Sequence, residues 1–170
     1  MSSSPSLRLA GSGAVLDPQS FRDACALFAA GVAVATVTAP DGTPQGLTVS
    51  SFTSVSVDPS LVLICIDLKC PQVSYFRQGT HFAVNILTES QRDVSIAFAE
   101  KLAGRFDGIE WSSGRTGAPV LDRCLAVLEC RTASILEAGD HAVFVGQVEN
   151  VESRGGQPLL YFNRDYRRLG

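Results

Sequence analysis

Charge is scarce in this chain: only 18% of its 170 residues are Asp, Glu, Lys or Arg, and the formal net charge is −3. Binding to nucleic acid rests on lysine and arginine neutralising phosphates, and the one basic cluster is the short "RDYRR" near the C-terminus, so that class is set aside. Histidine occurs twice and cysteine five times (Cys25, Cys65, Cys70, Cys124, Cys130), with no C-x-x-C pair. Such spacing offers no metal site, and an odd, scattered set suits reduced thiols better than a disulfide framework. Cys65, inside the apolar "LVLICID", and Cys70, just beyond it, read as buried structural thiols. No apolar run nears the roughly 20 residues that span a bilayer, and "MSSSPSLRLAGSG" lacks the apolar segment of a signal peptide, so no membrane contact and a cytoplasmic location are expected. Also missing are G-x-G-x-x-G, a Walker A sequence, a G-x-S-x-G elbow and any prominent pair of carboxylates. Nucleophilic and paired-carboxylate catalysis are therefore unsupported, and what remains is chemistry that a bound organic cofactor performs and the protein orients.

Apolar residues are plentiful, at 45%, and a second copy of the chain would cover the surplus that a small charged complement leaves exposed. A homodimer is expected. Residues 1–16, rich in Ser and Gly, read as a flexible arm, and residues 17–170 as one domain. "DPQSFRDACALFAAG" predicts an amphipathic helix with Asp17 as cap, Phe21, Cys25 and Phe28 on one face and Gly31 as the stop. "VAVATVTA", the hydroxyl-rich stretch after "PDGTP", and "LVLICID" predict three consecutive antiparallel strands. "PQVSYFRQG" predicts a turn or two of helix, "HFAVNIL" a strand, and "TESQRDVSIAFAEKLAG" a helix opened by a Thr88–Gln91 capping box. Two long strands, "CLAVLECRTASILE" and "HAVFVGQVENVE", follow across "AGD", and "PLLYF" closes the chain. Short strands dominate and helices do not alternate with them, so the fold class is mainly β, or α+β, with an antiparallel barrel-like sheet.

The unusual feature is "GLTVSSFTSVSVDP", with six hydroxyl side chains between Thr48 and Ser56 and no charge before Asp58. In a strand, Thr48, Ser50, Phe52, Ser54 and Ser56 share one face and Val49, Ser51, Thr53, Val55 and Val57 the other, so neither face is purely apolar. One reading is a half-exposed strand whose hydroxyls meet water; the other is a wall for a planar ligand with a polar rim. His141, presented by the Gly139–Asp140 turn at the start of a long strand, is placed either to face a cleft or to bond its own turn. His81 has nothing polar converging on it locally.

Taken in order, "FRDACALFAAGVAVATV", "GLTVSSFTSVSVDPSLVLICI", "FAVNIL", "RFDG", "GAPVL", "LECR", "GDHAVFVGQV" and "PLLYF" resemble the short-chain flavin reductases, the reductase components of two-component flavin-dependent monooxygenases. That resemblance implies an FMN-binding split β-barrel, antiparallel and Greek-key-like, usually homodimeric. It implies hydride transfer from NADH or NADPH to N5 of FMN or FAD, with the reduced flavin passed to a monooxygenase. By the same resemblance Gly46, Leu47, Thr48, Val49, Ser50 and Ser51, together with Ser54, cradle the flavin, and Cys65, Ile66, Asp67 and Lys69 line the same pocket. Asn85, Arg105 and Phe106 are further cofactor-binding candidates, the arginine for its charge near a phosphate. The resemblance further implies that His141 is the catalytic-site histidine, positioning the nicotinamide rather than moving a proton, and that Tyr166 covers the nicotinamide side. The chain departs from the family at "KCPQ", where small hydroxyl residues are common, and FMN and FAD both stay open. Two other functions stand beside this one: a reductase that retains its flavin and serves another acceptor, and a non-catalytic flavin- or haem-binding barrel.

Overall fold

The structure, a computed structural model, describes residues 16–100 and 104–169; the arm expected over residues 1–16 lies outside these apart from Leu16. Helix α1 (Pro18–Ala26) starts as its sequence predicts, with the Asp17 carboxylate accepting the Ser20 N–H at 2.8 Å and Pro18 in the first turn. It stops well before Gly31, because Ala30 and Gly31 are drawn out as a short strand, β1, paired with Tyr161 and Leu160. None of its residues is buried, and Phe21 and Phe28 are 57% and 80% exposed, so the expected apolar face does not pack on the chain's own core.

Strand β2 (Ala33–Thr38) is buried on both faces and turns through Asp41 and Gly42 into β3 (Pro44–Val49). From Thr48 to Val57 the chain is not one strand, as its composition suggests, but two. After Ser50, Ser51 and Phe52 it re-forms as β4 (Thr53–Val57), which pairs with β5 (Ser60–Asp67) and not with β3. Helix α2 (Val73–Gln78) and β6 (His81–Ile86) follow. A 3-10 turn at Glu89–Gln91 leads into α3 (Arg92–Ala99), and the capping box is present, Gln91 Oε1 accepting the Thr88 N–H at 3.0 Å. Next come the β7 (Trp111–Ser113) and β8 (Pro119–Leu121) pair and the long hairpin of β9 (Ala126–Ala138) and β10 (His141–Ser153), closed by Gly139 at φ +64°. Strands β11 (Leu160–Phe162) and β12 (Asp165–Arg167) complete a small sheet with β1.

The main antiparallel sheet runs β3-β2-β6-β9-β10-β5-β4, so β3 and β4, adjacent in sequence, occupy its opposite edges. A flat sheet of that width would span about 29 Å at ~4.8 Å per strand. The link from Val49 to Thr53 reaches at most about 15 Å at ~3.8 Å per residue. The sheet therefore curls, bringing the end of β3 toward β5, and Ser51 ties the two: its hydroxyl accepts the Cys65 N–H at 2.9 Å and lies 3.1 Å from the Cys65 carbonyl.

Alternation along β2 divides the core between two faces. Ala33, Ala35 and Val37 pack inside the curl with Ile64, Ile66, Phe82 and Phe144, and α2 plugs that side with Phe76, whose ring lies 5.8 Å from Phe144 and 6.2 Å from Phe82. Val32 and Val34 face outward into a second cluster with Phe98 of α3, Val120 and Leu121. Glu129 is buried at the margin, only 2% exposed. Burial pushes its carboxyl up, but 2.8 Å hydrogen bonds from the Thr116 N–H, the Asn150 amide and the Thr116 hydroxyl outweigh this and hold it below the ordinary glutamate range. A folded-state pKa below the unfolded one gives stability that is full above the unfolded value of about 4.3 and is lost as pH falls through the folded value. Glu129→Gln is accordingly expected to lower stability by about 1–3 kcal/mol at neutral pH and to flatten the acid limb of a urea-unfolding pH series. An acid limb as steep as that of the wild type would contradict it.

Candidate flavin site

Where the curled edges face each other, a cleft of about 310 Å³ opens. One wall is the end of β3 and the linker after it, residues 47–51; the other is the end of β5, Cys65, Ile66 and Asp67; His141 and Arg105 stand at its margins. Leu47 and Val49 root their wall in the inner core, at 9% and 5% exposure, while Ser50 lies exposed beyond the last strand pair of β3. Thr48 works structurally as well: its hydroxyl donates to the Ser95 carbonyl at 2.6 Å, clamping α3 to β3.

His141 and Asp67 are cross-strand partners at the mouth. The His141 Nδ1 lies 2.7 Å from an oxygen of Asp140, whose carboxyl is held below its usual range by that hydrogen bond and by the histidine's charge. With Nδ1 engaged, Nε2 is the nitrogen left for a ligand. Arg105 donates from Nη1 to the Gly46 carbonyl at 2.6 Å, while its Nε is buried with no hydrogen-bond partner. Burial raises the Cys65 thiol above its ordinary value, against reactivity at the cleft wall.

A second, larger hollow of about 620 Å³ adjoins the cleft and shares Arg105 with it. Gly46 and Phe106 line this hollow, not the cleft, and the Phe106 ring packs edge-on against Phe98 at 4.9 Å and Trp111 at 5.5 Å. Behind the β3 wall lies a small hollow of about 160 Å³ bounded by Thr48, Ser50, Ser95, Tyr161 and Tyr166. There the Tyr166 hydroxyl lies 2.8 Å from the Ser95 hydroxyl and the Arg92 guanidinium sits over the Tyr166 ring.

Besides Gly46, Phe106 and Tyr166, which line the neighbouring hollows, three expected residues line neither the cleft nor those hollows. Ser54 is exposed on β4 opposite Val62, and Lys69 is exposed in a turn where its N–H donates to Asp67 at 2.7 Å. Asn85 is fully buried in β6 and its amide is consumed there, donating to the Val34 carbonyl and Thr36 hydroxyl at 3.1 Å and accepting the Leu121 N–H at 2.8 Å. Cys70, read from sequence as a buried thiol, is half-buried and lines the cleft, as do Phe98 and Ala99. No local pattern marks those three, because α3 and the turn after β5 are brought there by tertiary packing.

A curled antiparallel sheet whose edges flank a hydroxyl-rimmed cleft, with Asp67 and His141 at its mouth and Arg105 at its margin, has the shape to take a flat ligand with polar edges. Residues 25–170 match the family described as "Flavin reductase like domain", and the chain belongs to that family. It is 41% identical over 152 residues, 89% of its length and 66% of the other's, to the stachydrine N-demethylase reductase subunit Stc3 of Rhizobium meliloti. It is 42% identical over 144 residues to "FMN reductase (NADH) SmoA" of Agrobacterium fabrum, covering 84% of this chain and 81% of that one. Among solved structures it superposes with a TM-score of 0.86 on the Streptomyces globisporus NADH:FAD oxidoreductase SgcE6 in complex with NAD and FAD fragments, at 32% identity, covering 93% and 98% of the two chains. Against three curated relatives the chain spans 66%, 49% and 47% of their length. No helix among the described residues is long and apolar enough to cross a membrane.

Proposed function

We propose that this chain reduces flavin, FMN or FAD, with a hydride from NADH or NADPH and releases the reduced flavin to a partner monooxygenase. The observation that carries the reading is the cleft between the sheet's edges, in a chain of the flavin reductase family. Its residues fit the group: about 310 Å³ suits a small planar ligand, Ser50 supplies an exposed, uncharged hydroxyl, and the partnerless Arg105 Nε is a buried donor awaiting an acceptor. A flavin bound there supplies the hydride acceptor. The chain's own work is to hold and orient: the β3 wall fixes the ring edge, Arg105 meets negative charge on the tail, and His141, steadied by Asp140, offers Nε2 to a nicotinamide carboxamide. Tyr166 covering the nicotinamide belongs to the same proposal, as do a homodimer that buries Phe21, Phe28 and Val57, all more than half exposed, a cytoplasmic location, and the curled sheet as the family's split barrel.

Purified protein given NADH or NADPH with FMN or FAD should oxidise the nicotinamide at a rate that depends on added flavin. Absence of turnover in all four combinations overturns the proposal. His141→Ala is expected to raise the nicotinamide KM by about tenfold, the loss of ~1.4 kcal/mol of binding, with flavin affinity nearly intact. Parallel loss of flavin affinity would make His141 a residue of the fold rather than of the nicotinamide site.

A further inference from the structure

We infer that the hollow beside the flavin cleft takes the adenylate half of FAD, with Arg105 under the diphosphate, so that this chain is built for FAD rather than FMN. The inference rests on the reading above and deepens it.

Volume is the first ground. The cleft of about 310 Å³ suits a ring system and its short tail, yet twice that space, about 620 Å³, lies directly against it, and Arg105 lines both. FMN ends where the two spaces join. FAD continues through that junction by a diphosphate, which is where the structure puts its guanidinium. The Arg105 Nε is buried there without a partner, a donor that costs about 1–3 kcal/mol until an acceptor such as a phosphate oxygen reaches it.

Charge is the second. A terminal phosphate carries two negative charges on one group and calls for several donors. Among the described residues only Arg105 offers a cationic one at the junction; Lys69 lines neither space, and residues 69–72, "KCPQ", carry no hydroxyl. A diphosphate spreads its charge along a chain and meets one guanidinium well. Beyond it the Asp107 carboxylate opposes a further phosphate and accepts from ribose hydroxyls, the Gln45 side-chain carbonyl and the Gln72 amide N–H can pair with a purine edge, and Phe106 presents aromatic surface.

The test is a fluorescence titration of the full-length protein with FAD and with FMN, no nicotinamide present, repeated with Gln45→Trp, which fills the hollow from a half-buried position on an edge strand. The wild type is expected to bind FAD at least about tenfold more tightly than FMN, and Gln45→Trp to bring the ratio of the two dissociation constants close to one. Equal affinities in the wild type, or a ratio that Gln45→Trp leaves unmoved, overturn the inference. So does a Gln45→Trp effect confined to the KM for NADH, which would assign the hollow to the dinucleotide donor. Should Gln45→Trp fail to fold, millimolar adenosine added to the wild type decides: it displaces FAD and spares FMN if the assignment is right, and treats both alike if it is wrong. Loss of both flavins from the wild type would be a different failure, that of the reductase reading itself.

Discussion

Arg105→Met is expected to weaken flavin binding by about 30-fold, read as quenching of flavin fluorescence, because it removes a charge-assisted donor worth ~1.5–3 kcal/mol. The effect has two sources. The Nε that awaits a ligand acceptor is lost, and so is the 2.6 Å bond that pins the Gly46 carbonyl. Gly46 cannot compensate by shifting: a Cβ there would lie 2.8 Å from Phe98 and 3.0 Å from the Ala35 carbonyl, so the strand is already pressed onto α3 and β2. Arg105→Lys keeps the charge but not the planar fork, and should recover only part of the affinity. An Arg105→Met protein that binds flavin as tightly as the wild type would remove Arg105 from the site.

Gly146→Val should destabilise the fold by about 3 kcal/mol or more, lowering Tm by roughly 10 °C for a domain of this size. Gly146 lies where the β9–β10 register shifts, and a Cβ on it would stand 2.5 Å from the Phe82 Cζ and 2.8 Å from the Cys130 Cβ. Both neighbours are fully buried, and Phe82 is wedged beneath Phe76, so neither can yield without opening the inner core. Thermal unfolding by circular dichroism reads the effect directly, and a Tm within a degree or two of the wild type would mean that the inner core has slack that its packing does not show.

Much of the local architecture is legible in the chain. Asp17, the Thr88–Gln91 box and the Gly139–Asp140 turn each act through neighbours within three or four residues, so their chemistry can be read where it stands. The curling of the sheet is not legible in that way. Hydroxyls fall on both faces of the segment from Thr48 to Ser56, so alternation reads it as one strand, and nothing local records that β3 and β4 pair at opposite edges. The site divides along the same line. Residues 47–51, Cys65 to Asp67, Arg105 and His141 come together in one cleft, as the resemblance implies, whereas the hydrogen bonds that withdraw Asn85 from it reach partners 36 to 51 residues away. Two of the six hydroxyls in that stretch also turn out to hold the protein to itself: Thr48 clamps α3 and Ser51 ties β3's end to β5.

The most direct test is the place of the ring. In a crystal soaked with flavin, the isoalloxazine should lie in the cleft between residues 47–51 and the end of β5, with its tail running to Arg105 and its open face within reach of His141. A ring bound anywhere else on the chain, or a cleft that stays filled only with water at saturating flavin, would contradict the account.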